Sequence, residues 1–285
     1  MSAHYLSVVA LVIGASGLVG SAVMRALPGS VGTFRSRPVA GLRHLDALDH
    51  PGLAALMREI QPDVVYFPAA EPNVDWCEAE PEAAYRANVA PALDALETAT
   101  SANARFVFFS SDYVFDGSAG PYDETAPVAP LSTYGRHKLE VEQRVLGAGA
   151  TVVRTTTVFG TESPPGKNFV LRLAARLRAG EAATVPSDQF STPTWADDLA
   201  RGAVACAPHP GIWHVAGPDF LSRDRFAVLV ADVFGLDASL IRPVLTSELQ
   251  QAASRPMRGG LRTDKVRQLS GIAFSSTREA LSRLR

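Results

Sequence analysis

The fold is decided near the amino terminus by the stretch Tyr5-Leu-Ser-Val-Val-Ala-Leu-Val-Ile13, which continues as Gly14-Ala-Ser-Gly17-Leu-Val-Gly20 and Ser21-Ala-Val-Met-Arg-Ala-Leu27. An apolar run that ends at glycine is typical of a strand buried on both faces of a parallel sheet. The three glycines then permit a tight turn, close approach of a pyrophosphate and close packing of the following helix. The amino end of that helix offers N–H groups to phosphates. We therefore predict a dinucleotide-binding turn with contacts from Gly14, Ser16, Gly17, Leu18 and Val19.

Further apolar runs alternate with helical patterns along the chain. Strands are predicted at 30–34, 61–70, 103–111, 150–157 and 211–215, and helices at 52–60, 81–100, 133–146 and near 194–207. This alternation favours an α/β fold with a doubly wound parallel Rossmann sheet. We expect residues 1–160 and about 188–217 to form the NAD(P)-binding domain. Residues 161–187 and 218–285 would form a smaller, mainly C-terminal substrate-binding domain.

The end of the second predicted strand carries Arg35 and Arg37, where dinucleotide folds often place an acid that accepts from the ribose 2′-hydroxyl. Arginine pairs well with phosphate, so the sequence favours NADPH and leaves NADH open. Asp46, followed by Ala47, is a candidate partner for the adenine. The small residues Ala69 and Ala70, at the end of another strand, would let the backbone pass close to the cofactor.

Tyr134 and Lys138 stand four residues apart on the predicted helix 133–146 and so share one of its faces. A neighbouring ammonium favours the phenolate, and we expect it to make Tyr134 a usable general acid or base. Ser111, at the end of the strand 103–111, could hold the oxygen that the tyrosine protonates. This combination suits hydride transfer at a C–O centre beside a nicotinamide.

The composition describes an ordinary globular protein of 285 residues, with 47% hydrophobic residues and a formal net charge of −2. It gives no electrostatic reason to expect a nucleic acid or a membrane as partner. The cysteines Cys77 and Cys206 are far apart, and the six histidines are dispersed, so no metal site is predicted. Reduced thiols are typical of the cytoplasm, which is the expected location. The sequence leaves open whether the protein forms a homodimer.

The chain resembles the extended short-chain dehydrogenase/reductases, and most closely the dTDP-4-dehydrorhamnose reductase family. The glycine spacing is shared widely, whereas two segments are specific to this branch. They are the run Asp112-Tyr-Val-Phe-Asp-Gly117 and the segment 189–194. Motifs shared with the family extend from the first turn to Ser254-Arg-Pro256, so the resemblance covers nearly the whole chain.

This resemblance implies a catalytic triad of Ser111, Tyr134 and Lys138, in which Tyr134 donates a proton and Lys138 also holds the nicotinamide ribose. The substrate would be a nucleotide-linked 4-keto-6-deoxysugar, reduced at its keto group by NADPH. Thr157 stands where these reductases often carry a tryptophan, which implies a more open and polar sugar pocket. The resemblance also implies cofactor contacts from Ser110 and Thr155, and substrate contacts from Asn168, Gln189 and Arg255.

Two other functions stay open at the level of sequence. The β subunit of methionine adenosyltransferase resembles the chain over 110–117 and 134–138, and there the same fold serves as a regulatory partner. A sugar-nucleotide dehydratase or epimerase would use the same scaffold. Dehydratases carry an aspartate–glutamate pair directly after the triad hydroxyl, whereas Asp112 is followed here by Tyr113, so this reading ranks last.

Overall fold

The computed structural model describes residues 8–162 and 168–285; Tyr5 to Ser7 of the predicted first strand lie outside them. The strands are β1 (Ala10–Val12), β2 (Val31–Phe34), β3 (Arg43–His44), β4 (Val64–Phe67), β5 (Arg105–Ser111), β6 (Thr151–Thr155), β7 (Val158–Phe159), β8 (Ala183–Pro186), β9 (Phe190–Ser191), β10 (Thr194–Trp195), β11 (Gly211–His214), β12 (Leu221–Ser222) and β13 (Ile241–Val244). The helices are α1 (Leu18–Ala26), α2 (His50–Ile60), α3 (Val74–Ala79), α4 (Pro81–Asn88), α5 (Ala90–Ser101), α6 (Thr133–Gly147), α7 (Phe169–Arg178), α8 (Ala196–Cys206), α9 (Arg223–Phe234), α10 (Asp264–Ser270) and α11 (Thr277–Leu284).

Seven parallel strands form the main sheet in the order β11-β6-β5-β4-β1-β2-β3. The chain moves outward from β1 in one direction and then returns to continue from β4 in the other. Helices α2, α5 and α6 pack on one face of the sheet, and α1, α8 and α10 pack on the other. The predicted doubly wound Rossmann sheet is confirmed. Its topology places the switch of direction between β1 and β4, where such folds open a ligand-binding crevice.

The helix predicted over 81–100 is in fact two helices, α4 and α5, that meet at Val89. Pro91 lies in the first turn of α5, where backbone N–H groups have no partner within the helix, so its missing N–H costs no hydrogen bond. Inside a continuous helix, proline would remove one. At the end of α4, the buried Asn88 side chain accepts from the backbone N–H of Glu71 at 2.7 Å. The break thus turns Asn88 toward the loop that follows β4.

A second group of elements packs around a separate hydrophobic cluster formed by α7, α9, α11, β8 and β13. These five elements lie in segments assigned from the sequence to the substrate-binding domain, whereas Phe159 of β7 and Trp195 of β10, which also belong to the cluster, lie in segments assigned to the NAD(P)-binding domain. Helix α10, from the same predicted segment, packs instead against the main sheet, where Lys265 Nζ donates to the carbonyl oxygen of Ile212 at 2.6 Å. The division into two domains stays a prediction. Among the described residues, no helix combines the length and apolar character needed to cross a membrane.

Gly20 is required by the close contact between α1 and the turn that follows β1. A Cβ atom at this position would lie 2.3 Å from the carbonyl oxygen of Gly14 and 2.7 Å from the Cα atom of Ala15. Both are backbone atoms and cannot move aside as a flexible side chain could. A Cβ atom at Gly17 would meet nothing nearer than the Gly14 oxygen, at 3.5 Å.

We therefore expect Gly20→Ala to lower the free energy of unfolding by about 2 kcal/mol or more, since the added methyl group overpacks against backbone. Gly17→Ala should cost about 1 kcal/mol or less, the usual loss at a helix N-cap. Urea unfolding of both variants and the unmodified protein measures the difference. An equal loss in the two variants, or a greater loss at Gly17, would show that the contact at Gly20 does not control the packing of α1.

Candidate active site

The amino end of α6 is fixed against the turn that follows β5. Ser132 caps the helix by accepting from the backbone N–H of Gly135 at 3.3 Å, and Glu78 accepts from that of Thr133 at 2.7 Å. Any side chain at Gly135 would collide with Tyr113, whose carbonyl oxygen lies 2.2 Å from where a Cβ atom would stand. The helix therefore approaches the 3-10 turn Asp112–Val114 as closely as backbone allows.

This docking brings Ser111, Tyr134 and Lys138 to one place. Lys138 Nζ donates to the carbonyl oxygen of Phe109 in β5 at 2.9 Å and lies 5.7 Å from the centre of the Tyr134 ring. Ser111, the last residue of β5, donates from Oγ to Asp112 Oδ1 at 3.2 Å. Tyr134 and Lys138 are buried, with 9% and 5% of their surface exposed, so their chemistry takes place largely shielded from water.

Burial controls the protonation of both helical groups. It raises the pKa of the Tyr134 phenol well above its ordinary value, with smaller contributions in the same direction from Tyr113, Cys77 and Asp112, whereas hydrogen bonding with Ser111 acts in the opposite direction. The sequence predicted that Lys138 lowers the pKa of this phenol, whereas in the structure the pKa is raised, and loss of solvation is the largest cause. Burial also lowers the pKa of the Lys138 ammonium to about 8, against the attraction of Glu142. The phenol therefore stays protonated at neutral pH.

Asp112 links this group to the C-terminal part of the chain. Its carboxylate Oδ2 accepts from the backbone N–H of Gly260 at 3.0 Å, while Oδ1 accepts from Ser111. Burial raises the pKa of this carboxyl group against the hydrogen bonds that favour its ionised form. A second hydrogen bond holds the loop around Gly260: the backbone N–H of Arg258 donates to the carbonyl oxygen of Gly117 at 2.7 Å.

A small cavity of about 20 Å³ lies directly beside Asp112. Thr157 lines it with φ at +43°, a left-handed conformation that is rare for a β-branched residue and that concentrates at functional sites. The position where a bulky tryptophan would be expected thus presents a hydroxyl, which donates to Ser191 Oγ at 2.9 Å. The lining consists of Asp112, Tyr113, Thr156, Thr157, Gln189, Phe190, Ser191, Arg223, Arg255 and Pro256.

Two of the three predicted substrate contacts line this cavity, and both already have partners in the chain. Arg255 forms an ion pair with Asp75, Nη2 to Oδ2 at 2.7 Å, and Gln189 Nε2 donates to Thr246 and Gln251. Asn168 is not among the lining residues; it caps α7 by accepting from Leu171 N at 3.2 Å. Their contact with a substrate stays a prediction.

Arg223, which the sequence analysis missed, is the more available cation of this cavity. Its guanidinium lies 4.8 Å from the centre of the Phe169 ring, and no carboxylate of the described chain comes within 4.0 Å of it. The apolar stripe 226–234 was interpreted as packing, and it does pack. The missed residue directly precedes this stripe: Arg223 is the first residue of α9 and follows β12.

The predicted cofactor residues line the carboxyl ends of the strands. The turn 14–20 follows β1, the exposed Arg35 and Arg37 follow β2, Asp46 and Ala47 follow β3, and Ala69 and Ala70 follow β4. Ser110 and Thr155 lie at the ends of β5 and β6, and both hydroxyl oxygens are buried with no hydrogen-bond partner among the described residues. Buried polar groups are normally paired, so these two hydroxyls fit a bound polar ligand at this edge.

A larger cavity, of about 670 Å³, lies at the opposite edge of the sheet. Its walls include Met57 and Arg58 of α2 and Ser101 of α5, near the amino ends of β4 and β5. None of the predicted catalytic, cofactor or substrate residues lines it. By volume alone this cavity would be chosen as the functional site. The titratable groups and the unpaired hydroxyls of Ser110 and Thr155 indicate instead the edge of the sheet where the strands have their carboxyl ends.

Comparison with known proteins agrees with this geometry. A protein-family model described as RmlD substrate binding domain matches residues 9–284. A probable dTDP-4,6-dihydroxy-2-methyloxan-3-one 4-ketoreductase of Streptomyces antibioticus is 34% identical over 96% of this chain and 92% of its own length. Methionine adenosyltransferase 2 subunit beta of Xenopus tropicalis is 30% identical over 91% and 82%.

Among solved structures, the dTDP-4-dehydrorhamnose reductase of Bacillus anthracis, in complex with NADP, superposes with a TM-score of 0.88. It is 25% identical, and the match covers 98% of this chain and 99% of that one. The resemblance recognised from the motifs is confirmed over nearly the full sequence. This chain belongs to the RmlD substrate binding domain family, the dTDP-4-dehydrorhamnose reductase branch of the extended short-chain dehydrogenase/reductases.

Proposed function

We propose that this protein is an NADPH-dependent reductase of the 4-keto group of a nucleotide-linked 4-keto-6-deoxysugar. The observation that carries the proposal is the convergence of Ser111, Tyr134 and Lys138 at the carboxyl end of β5. The names of two similar proteins support it: one is a sugar-nucleotide 4-ketoreductase, and the other is a reductase with NADP bound. The extended short-chain reductase scaffold accounts for both parts of the reaction, the hydride transfer from the dinucleotide and the proton transfer to the keto oxygen.

The residues at the carboxyl edge of the sheet fit the dinucleotide. Gly17 leaves room for a pyrophosphate at the amino end of α1, since a Cβ atom built there would meet only the Gly14 oxygen, at 3.5 Å, among the described residues beyond its chain neighbours. Ser110 and Thr155 supply buried hydroxyls without other partners. Arg35 and Arg37 supply exposed cations beyond β2, where a 2′-phosphate would be held.

NADPH, when bound, supplies a hydride to the keto carbon. Tyr134 donates its proton to the keto oxygen, so the ketone gains a hydride and a proton and leaves as an alcohol. Ser111 holds that oxygen by a hydrogen bond. Lys138 remains charged below about pH 8 and stabilises the phenolate left on Tyr134 until it regains a proton from solvent.

We expect Tyr134→Phe to lower kcat by roughly 10²–10⁴-fold, because the ring is kept and the proton donor is lost. The measurement is NADPH oxidation with a panel of nucleotide-linked 4-ketosugars. Tyr85→Phe is the matched control, because that phenol is half-exposed and hydrogen-bonded to Glu140 on the outer surface of α6. Unchanged turnover in Tyr134→Phe would remove the tyrosine from the reaction.

The similarity to methionine adenosyltransferase 2 subunit beta favours a second candidate, a dinucleotide-binding regulatory subunit. The same panel separates the two functions. Absence of turnover by the unmodified protein on every sugar, together with a stable complex with a methionine adenosyltransferase, would replace the reductase by this second function.

Cofactor choice has its own test. Arg35→Ala should weaken NADPH binding by about tenfold or more, the usual value of a charge-assisted contact to phosphate, and leave NADH binding unchanged. Quenching of protein fluorescence measures both affinities. Arg58→Ala, an exposed arginine at the opposite edge of the sheet, serves as control. Equal weakening for the two dinucleotides would contradict the phosphate contact.

Arg223 is expected to bind the substrate, because it lines the cavity beside Asp112 and no carboxylate of the described residues forms an ion pair with it. Arg223→Met should raise KM for the sugar nucleotide by about tenfold or more while kcat changes little, as for a contact made equally in ground and transition states. Steady-state kinetics with Arg225→Met as control provides the measurement, since Arg225 is exposed on the same helix. An unaltered KM would place Arg223 outside the binding site.

A further inference from the structure

The face of α6 that carries Tyr134 and Lys138 continues to a third buried polar group, Glu142. The three residues follow one another at intervals of four, so they line one side of the helix. Glu142 has none of its surface exposed, and it is not among the residues that line the cavity beside Asp112. The proposed reaction assigns it no task.

Glu142 forms a bidentate ion pair with Arg154 of β6. Nε donates to Oε1 at 2.9 Å and Nη2 donates to Oε2 at 2.6 Å, and both side chains are at least 98% buried. Behind Arg154, its Nη1 lies 3.5 Å from Nε2 of His214, whose Nδ1 faces the carbonyl oxygen of Tyr122 at 3.1 Å. Burial lowers the pKa of His214 to about 3, so this ring is neutral and accepts from Arg154.

Such a pair is not explained by stability. Desolvating two ions costs about as much as their attraction returns, and apolar residues of similar size often stabilise a protein equally well. What an apolar pair cannot provide is charge one helical turn from Lys138. Glu142 attracts the Lys138 ammonium, opposing the burial that lowers the lysine pKa to about 8.

Lys138 is surrounded by few other charges. The rings of Phe108 and Tyr134 and the Phe109 carbonyl group contact or approach its ammonium. The titratable and charged groups on the elements around it include Cys77 and Glu78 of α3, Tyr85 of α4, Asp112 and Tyr113 of the turn after β5, Tyr134, His137 and Glu142 of α6 itself, and Arg154 of β6. The other charged residues of α6, Arg136, Glu140 and Arg144, are exposed. Cys77 is a neutral thiol at physiological pH because burial raises its pKa to about 11.

We propose that the buried Glu142–Arg154 pair positions and tunes Lys138: the carboxylate keeps the neighbouring ammonium charged, and the guanidinium fixes the carboxylate and limits its effect. The consequence for turnover rests on the proposed reductase function, whereas the charge state of Lys138 does not. Glu142 and Arg154 are positioning residues, since neither reaches the reacting atoms. The pair thereby sets the highest pH at which the tyrosine has a cationic neighbour.

Opposite substitutions should move Lys138 in opposite directions. Glu142→Gln removes the negative charge and leaves that of Arg154, so the protonation midpoint of Lys138 should fall by about one pH unit or more from its value near 8. Arg154→Gln leaves the carboxylate uncompensated and should raise the midpoint. The double variant has neither charge and should recover at least half of the shift caused by Glu142→Gln. Arg154→Lys keeps the charge and should preserve the midpoint.

The midpoint can be read without catalysis. Lys138, Lys167 and Lys265 are the lysines of the chain, so NMR of the protein with isotope-labelled lysine gives three Cε signals. Arg154→Lys adds a fourth, which is recognised by its absence from the spectrum of the unmodified protein. Lys167→Arg and Lys265→Arg assign the Lys138 signal by elimination, and its shift against pH gives the midpoint. The alkaline limit of NADPH oxidation should move with it in each variant.

The control is Asp198→Asn, which removes a carboxylate with 4% exposure from α8, on the other face of the sheet. Asp198 accepts from Ser275 N at 2.6 Å, so its loss should lower stability without moving the Lys138 midpoint. Equal midpoints in all variants, shifts of the same sign in both single variants, or an equal shift in Asp198→Asn would overturn the inference. Opposite shifts in a protein that reduces no sugar would support it while removing the reductase function.

Discussion

The arrangement depends on one contact, the hydrogen bond from the Lys138 ammonium to the carbonyl oxygen of Phe109. It joins α6 to β5 near the end of the strand, where no side chain could be added at Gly135 without a collision. Because the strand ends at Ser111 and the helix carries Tyr134 one turn before the lysine, this single docking point gathers an alcohol, a phenol and an ammonium. The site is a consequence of how one helix rests on one strand.

The charged groups inside this region interact with other buried groups of the sheet and its helices rather than with ions at the surface. Lys138 faces Glu142, Glu142 is paired with Arg154, and Arg154 meets a neutral His214. Asp112 lies on the other side of the tyrosine and takes its hydrogen bonds from Ser111 and Gly260. Glu142 and Arg154 are partners from different elements, so removing either one leaves the other buried without its counterion.

Local patterns predicted what depends on local spacing. The glycine turn, the strand–helix alternation and the four-residue interval between Tyr134 and Lys138 could be read directly, and the sheet and the convergence of these side chains agree with them. The pairing of Arg255 with Asp75 joins residues 180 positions apart, and no periodicity in the sequence reports it. The raised pKa of Tyr134 depends mainly on its burial in the cluster that contains Cys77 and Tyr113, which only the packed structure provides. The break between α4 and α5 had a visible signal in Pro91, outweighed by the apolar pattern around it.

The cavity beside Asp112 is built from five separate pieces of chain, which reach it from the ends of β5, β6, β9 and β12 and from the segment around Arg255. Tyr134 and Lys138 belong to none of those pieces. Under the proposed function, single replacements in the walls away from Ser111 would change which sugar is accepted while Tyr134 and Lys138 stay in place. A scaffold divided in this way lends itself to diversification: most of the cavity wall and the two helical groups are inherited on different segments, and Ser111 beside Asp112 is the point where they meet.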